Sequence, residues 1–232
     1  MNKIITTFLR KYKYMILVLY FPIYMLWFSW LERRDLSHFT IIHCKLDDMI
    51  PFCEIFIIPY LLWFPYVVMT VVYFLFRNKN KKEYFQLIFN LMMGMTVFLV
   101  VSYIYPNVQY LRPAVFPRSN IFTRLVAEIY RTDTPTNILP SIHVFNSLAV
   151  YFAIHHCQAL KDRKWLQRGA LILSVLIILS TMFIKQHSVI DVCLGTTLAL
   201  FGHLLFYPQR VEDYEEQRSL SHMRKKKPEQ NL

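Results

Sequence analysis

The chain has 232 residues, of which 55% are hydrophobic and 16% aromatic, with 18% charged residues, a formal net charge of +11, 11 prolines, 4 glycines and 4 cysteines. Disorder requires low hydrophobicity, collagen a glycine at every third position, and a small secreted scaffold dense cysteine, so all three are excluded. A soluble domain ordinarily draws about a quarter of its residues from the charged set, and the shortfall here points to a chain that lives in lipid.

Stretches free of Asp, Glu, Lys and Arg run over 14–31, 55–76, 84–111, 134–160, 169–184 and 192–209. An apolar run of roughly 18 residues or more crosses a bilayer's hydrocarbon core, so the sequence predicts six transmembrane helices, an all-α polytopic fold. The fourth is expected to start near Ser141, because 134–140 is polar and proline-flanked. The fifth is 16 residues long, with Lys185 snorkelling at its end. The first run has a basic region ahead of it, but Glu32, Arg33 and Arg34 follow it where a cleavage site would need small residues, so it is expected to stay as a helix. No linker or repeat separates the spans. The organisation predicted is one membrane unit over 1–207 and a basic tail over 208–232.

Lys and Arg accumulate on the cytoplasmic side of short loops. Placing the N-terminus inside puts 18 of the 26 Lys and Arg residues inside: those of 3–13, 77–82, 161–168 and the tail. Both termini are therefore expected in the cytoplasm. Basic loops beside anionic headgroups account for the net charge, so nucleic acid is not expected as a partner. The cysteines lack any C-x-x-C spacing and read as small hydrophobes, although Cys44 and Cys53 share the outer side.

Three segments carry chemistry. In His187-Ser-Val-Ile-Asp191 the two ionisable groups are four apart and share a helical face. A carboxylate on one imidazole nitrogen fixes the tautomer and makes the other a better nucleophile or base. A local ion pair in a helix's first turn is the plainer alternative. In Asn137-Ile-Leu-Pro140-Ser141-Ile142-His143, Ser141 is an expected N-cap, and the helix start offers free N–H groups and a positive dipole to an anion beside His143. A capping serine with an interfacial histidine is the alternative there. Arg112, in Tyr110-Leu111-Arg112-Pro113, offers a planar fork for phosphate oxygens. Arg118, Arg124 and Arg131 fit the solvated face of an amphipathic segment over 119–130. The other histidines (His38, His43, His155, His156, His203 and His222) are read as packing or loop residues. Charge asymmetry alone places Arg112, His143 and 185–191 on one side of the membrane, and such a set of cations and protonatable groups suits phosphoryl transfer.

The ordered trio Arg112-Pro113, Pro140-Ser141-Ile142-His143 and Ser180-(x6)-His187-(x3)-Asp191 resembles the type-2 phosphatidic acid phosphatase superfamily over roughly 105–195. The resemblance implies a lipid phosphatase of the bacterial plasma membrane working without a cofactor or metal and acting on a lipid phosphate or diphosphate. His187 would form a phosphohistidine, Asp191 would orient it and His143 would protonate the leaving alkoxide. Arg112 and the N–H groups around Ser141 and Ile142 would bind phosphate. Three positions depart from the family pattern: Tyr105 and Thr181 stand where a Lys and an Arg are usual, and Ile142 replaces a glycine. Lys185, four residues after Thr181, is expected to supply the missing cation. The departures also resemble the sphingomyelin and inositol-phosphorylceramide synthases, which pass a phospho-headgroup to a lipid alcohol. A lipid-phosphate binder without turnover and a two-His, one-carboxylate metal site are the remaining readings. In the first outer loop, Asp47 or Asp48 is expected to cap a helix ahead of Pro51.

Overall fold

A computed structural model describes residues 17–34 and 38–208. The basic residues of 3–13 and the tail beyond 208 lie outside the described residues, and so does His222. The helices are α1 (Tyr20–Glu32), α2 (Lys45–Met49), α3 (Ile57–Val72), α4 (Lys81–Ile104), α5 (Ile121–Thr132), α6 (Ile142–His156), α7 (Lys164–Phe183) and α8 (Val189–Phe206). Two short strands, β1 (Thr40–Ile41) and β2 (Asn107–Val108), pair in parallel. Single 3-10 and π turns extend α3 to Glu54–Arg77.

Four helices among the described residues are long and apolar enough to cross a membrane: the extended α3, α4, α7 and α8. The other two expected spans are shorter. Among the described residues, which begin at Leu17, the apolar segment of α1, Leu17–Glu32, falls below that length, and α6 has only 15 residues. Its place in the bundle accounts for the brevity of α6. It packs against α3, α4, α7 and α8, and Val144, Phe145, Ala149, Val150 and Ala153 are buried along it. A helix wrapped by its neighbours need not match the thickness of the surrounding hydrocarbon. The outer helices do the opposite: Leu61, Phe64 and Met69 on α3, Ile172 and Val175 on α7, and Phe201 and Leu204 on α8 are all exposed. A soluble protein rarely leaves so much apolar surface uncovered, and hydrocarbon is its natural surround.

Small and polar residues let the central helices approach, as expected where hydrophobicity does not distinguish neighbour from lipid. Ser174 Oγ on α7 donates to the Ser147 carbonyl of α6 at 3.0 Å. Gly195 on α8 faces the start of α6 so closely that a Cβ there would lie 2.7 Å from the Ser141 carbonyl oxygen. Helices α6 and α8 therefore run side by side in the same direction: Ser141 N–H donates to the Asp191 carbonyl at one end, and His156 meets His203 at the other. The loops 78–83 and 157–160 share the His156 end, joined by Glu83, whose carboxylate accepts from Asn78, Asn80 and the Gln158 N–H. All four cysteines are free.

Candidate active site

The site forms where α6 and α8 begin. Pro140 precedes α6, Ser141 caps it by accepting from the Val144 N–H, and His143 is its second residue. Asn107 braces this loop: its carbonyl accepts from the Asn137 N–H, and its Oδ1 accepts from the Ile138 and Leu139 N–H groups at 2.8 and 3.1 Å. Ser188 caps α8 in a capping box with Asp191, whose Oδ2 accepts from the Ser188 N–H at 2.9 Å.

The same Asp191 Oδ2 lies 3.2 Å from His187 Nδ1, and His187 Nε2 lies 3.3 Å from His143 Nδ1. The three groups thus form a chain from α8 to α6. A carboxylate accepts, so Nδ1 of His187 carries its proton and Nε2 of the neutral ring offers a lone pair. His143 Nδ1 must then be the donor to that lone pair. The tautomers are dictated by the one partner that can only accept. Asp191 Oδ2 thus meets both the Ser188 N–H and the His187 ring. His143 packs against the rings of Trp63 and Tyr60, at centroid distances of 4.3 and 4.8 Å. Among the described residues, no three His, Cys, Asp or Glu side chains are placed to hold a metal ion.

Arg112 reaches the same place from the loop after β2. Its guanidinium lies over the Tyr130 ring at 4.5 Å and donates to the carbonyls of Tyr130 and Asp133 and, at 2.5 Å, to Gln186 Oε1. It therefore sits one residue from His187, and its buried Nε has no partner. Asp133, which ends α5, receives the Tyr60 hydroxyl at 3.1 Å. Burial pushes its carboxyl above the usual range, against the pull of His187, the Tyr60 hydrogen bond and Arg112. Arg118 pairs with Glu54 and Arg131 with Glu128, on the amphipathic helix and its approach.

Lys185 goes elsewhere. The expected reach from Thr181 assumes that α7 continues, but α7 ends at Phe183 and Lys185 adopts a left-handed conformation with φ of 56°. Its ammonium donates to the carbonyls of Asp47 and Ile50, at 2.7 and 2.5 Å, and burial lowers its pKa. The missing cation is thus not replaced by Lys185. Tyr105, at the family's lysine position, is exposed at the end of α4. Thr181 is buried, and its carbonyl accepts the N–H groups of Gln186 and His187.

One residue is assigned differently by its surroundings than by its sequence. Asp47 is 2% exposed. It closes a capping box within α2 through the Cys44 N–H, and it also caps α8: Oδ2 accepts from Ser188 Oγ at 2.7 Å and Oδ1 from the Val189 N–H at 2.8 Å. Burial works to raise its carboxyl, and the hydrogen bonds from Val189, Ser188 and Cys44 outweigh it, so the group titrates below the usual carboxylate range. With Lys185 on its carbonyl, Asp47 clamps the loop ahead of α3 to both sides of His187. Capping-type residues in the loop were the signal, but nothing local indicated a helix 141 residues away.

A cavity of about 620 Å³ opens from His143 and His187 and runs between α1, α3 and α4. Its walls are apolar (Tyr24, Phe28, Trp63, Val67, Leu91, Met95), and its head carries Asp133, Asn137, Asn146 and Gln186. That volume lies in the range of small-molecule sites. No curated protein and no solved structure matches the chain. The sequence profile of the PAP2 superfamily matches residues 85–214, which span α4 to α8 and with them Arg112, His143, His187 and Asp191, and the chain belongs to that superfamily.

Proposed function

We propose that the protein is an integral-membrane phosphatase that releases phosphate from a lipid phosphate or diphosphate through a phosphohistidine. The observation that carries this reading is the Asp191–His187–His143 chain at the mouth of an apolar cavity. In the proposed step His143 acts as the imidazolium, with both ring nitrogens protonated: His187 Nε2 attacks phosphorus, the phosphorus–oxygen bond to the lipid breaks, and His143 Nδ1 delivers its proton to the departing alkoxide, leaving a neutral imidazole. Water then attacks the phosphohistidine and releases inorganic phosphate, with His143 accepting the water's proton. Arg112, through its unpartnered Nε, and the first N–H groups of α6 at Ile142 and His143 are the proposed phosphate donors, aided by the positive helix end. Asp47 and Lys185 are positioning residues.

The positive-inside count supports six crossings, cytoplasmic termini and a site at the outer face, and family resemblance supports a bacterial plasma membrane. The cavity also favours a second reading, transfer of the phospho-headgroup to a lipid alcohol, since it has room for an acyl chain beside the histidines. Purified protein in detergent, offered phosphatidate, isoprenyl phosphates and isoprenyl diphosphates, is expected to release phosphate from at least one. Transfer would instead yield a new phospholipid only when a lipid alcohol is added. Absence of both products in the wild type rejects both readings.

A further inference from the structure

The head of the cavity is not lined as an anion site alone would be. Lys185 points to the first outer loop, and Arg112 directs three of its hydrogen bonds to protein oxygens. The side chains at its head include Asn137, Asn146 and Asp133, beside Thr134, Thr136 and Gln186. Asn137 is 4% exposed, and its Nδ2 donates to Glu32 Oε1 at 2.7 Å, which fixes the amide and leaves Oδ1 buried with no partner. Asn146 is also 4% exposed, and its Oδ1 is likewise buried and unpartnered. It lies three residues after His143 on α6, hence on the same face. Asp133 lines the same cavity, with its Oδ2 accepting from the Tyr60 hydroxyl and the Gln186 amide.

Buried carbonyl oxygens without donors are costly, and a ligand that donates to them removes the cost. A second phosphate would bring only more acceptors to this wall. An ammonium would lie near the Arg112 guanidinium, which does not line the cavity but is bonded to the carbonyl of Asp133 itself. A neutral hydroxyl satisfies the oxygens and meets no repulsion.

We propose that Asn137, Asn146 and Asp133 form a hydroxyl-recognition subsite in this cavity, holding a free hydroxyl of a lipid beside the reacting phosphate. The inference rests on the lipid-phosphate reading above. The hydroxyl belongs either to the phosphate-bearing lipid or to a second lipid alcohol, and the chemistry that recognises it is the same.

The test compares 1-oleoyl lysophosphatidate, which has a free hydroxyl next to the phosphoester carbon, with its 2-deoxy counterpart, each with and without 1,2-dioleoylglycerol. Wild type, Asn137→Gly and Asn146→Leu are assayed; glycine keeps the left-handed backbone at 137, where φ is 52°, and leucine keeps the volume at 146. If the hydroxyl is the substrate's own, wild-type kcat/KM is expected to favour the hydroxyl-bearing ester by at least about tenfold, with the ratio falling towards one in both variants. If it belongs to a second lipid, the ratio is near one, but dioleoylglycerol inhibits or is phosphorylated in wild type and does neither in the variants. A ratio near one with dioleoylglycerol inert, while His187→Ala abolishes phosphate release, overturns the subsite and leaves the phosphatase reading intact. If wild type turns over neither ester, the phosphatase reading fails for these lipids and the subsite is judged by binding of dioleoylglycerol through Trp63 fluorescence. Binding at least about tenfold weaker in both variants supports it, and equal or absent binding overturns it.

Discussion

Helices α6 and α8 carry a histidine pair at each end, and the two pairs have different surroundings. At the start of the helices His143 and His187 stand 3.3 Å apart, with Asp191 behind His187 and a cavity in front. At their end His156 and His203 stand 2.9 Å apart, packed against Tyr207 and Phe152. Neither of the latter lines the cavity, and among the described residues neither bonds a carboxylate. The helix field also differs, since positive helix starts favour an anion and helix ends favour a proton. Two imidazoles in contact are therefore only packing until a fixed acceptor sets their tautomers and a cavity admits a substrate.

Substitutions can break this comparison at either end. The largest effect is expected for His187→Ala, where phosphate release measured in detergent should fall by about 10⁵-fold or more. Asp191→Asn keeps the shape but allows the wrong His187 tautomer, so a loss of about 10⁴-fold in kcat is expected; activity within tenfold of wild type would mean the carboxylate only caps α8. Asp47→Asn should lower kcat about tenfold with KM nearly unchanged, because it loosens the start of α8 without touching the lipid. At the far end, His203→Phe should leave phosphate release within about twofold and cost on the order of 1 kcal/mol of stability from one lost hydrogen bond. A loss of activity there comparable with His187→Ala would erase the distinction between the two ends.

Asp47 also gives a pH test with a definite sign. Its folded pKa is depressed below the ordinary 3.8, so the unfolded chain binds the proton first as pH falls. The stability it contributes is full above that ordinary value and is lost as pH drops through the lower, folded one. The thermal midpoint of wild type in detergent should exceed that of Asp47→Asn at pH 7. The gap should narrow from about pH 4 downward; a gap constant from pH 7 to pH 3 would assign the effect to packing.

Much of the architecture was legible because hydropathy acts locally. The uncharged runs mark the helices that become α1, α3, α4, α6, α7 and α8, and His187 and Asp191, four apart, do meet, although His187 lies ahead of the N-cap Ser188 and not on α8. Lys185 was misplaced for an equally local reason: the i+4 rule holds only while a helix continues, and α7 stops at Phe183. The brevity of α6 was also hidden, since an apolar run looks the same facing lipid or facing protein.

Composition and motif spacing indicated by themselves that this chain enters a membrane and which histidine has a carboxylate partner. These properties depend on residues within a turn or a loop of one another, or on solvation of each segment separately. Only the tertiary structure decided that His143 faces His187, that Asp47 caps a helix 141 residues away, and that Asn137 and Asn146, with buried unpartnered oxygens, line a cavity. Those relations depend on how helices approach in three dimensions, as Gly195 permits at the start of α6, and no period in the sequence records a distance between segments.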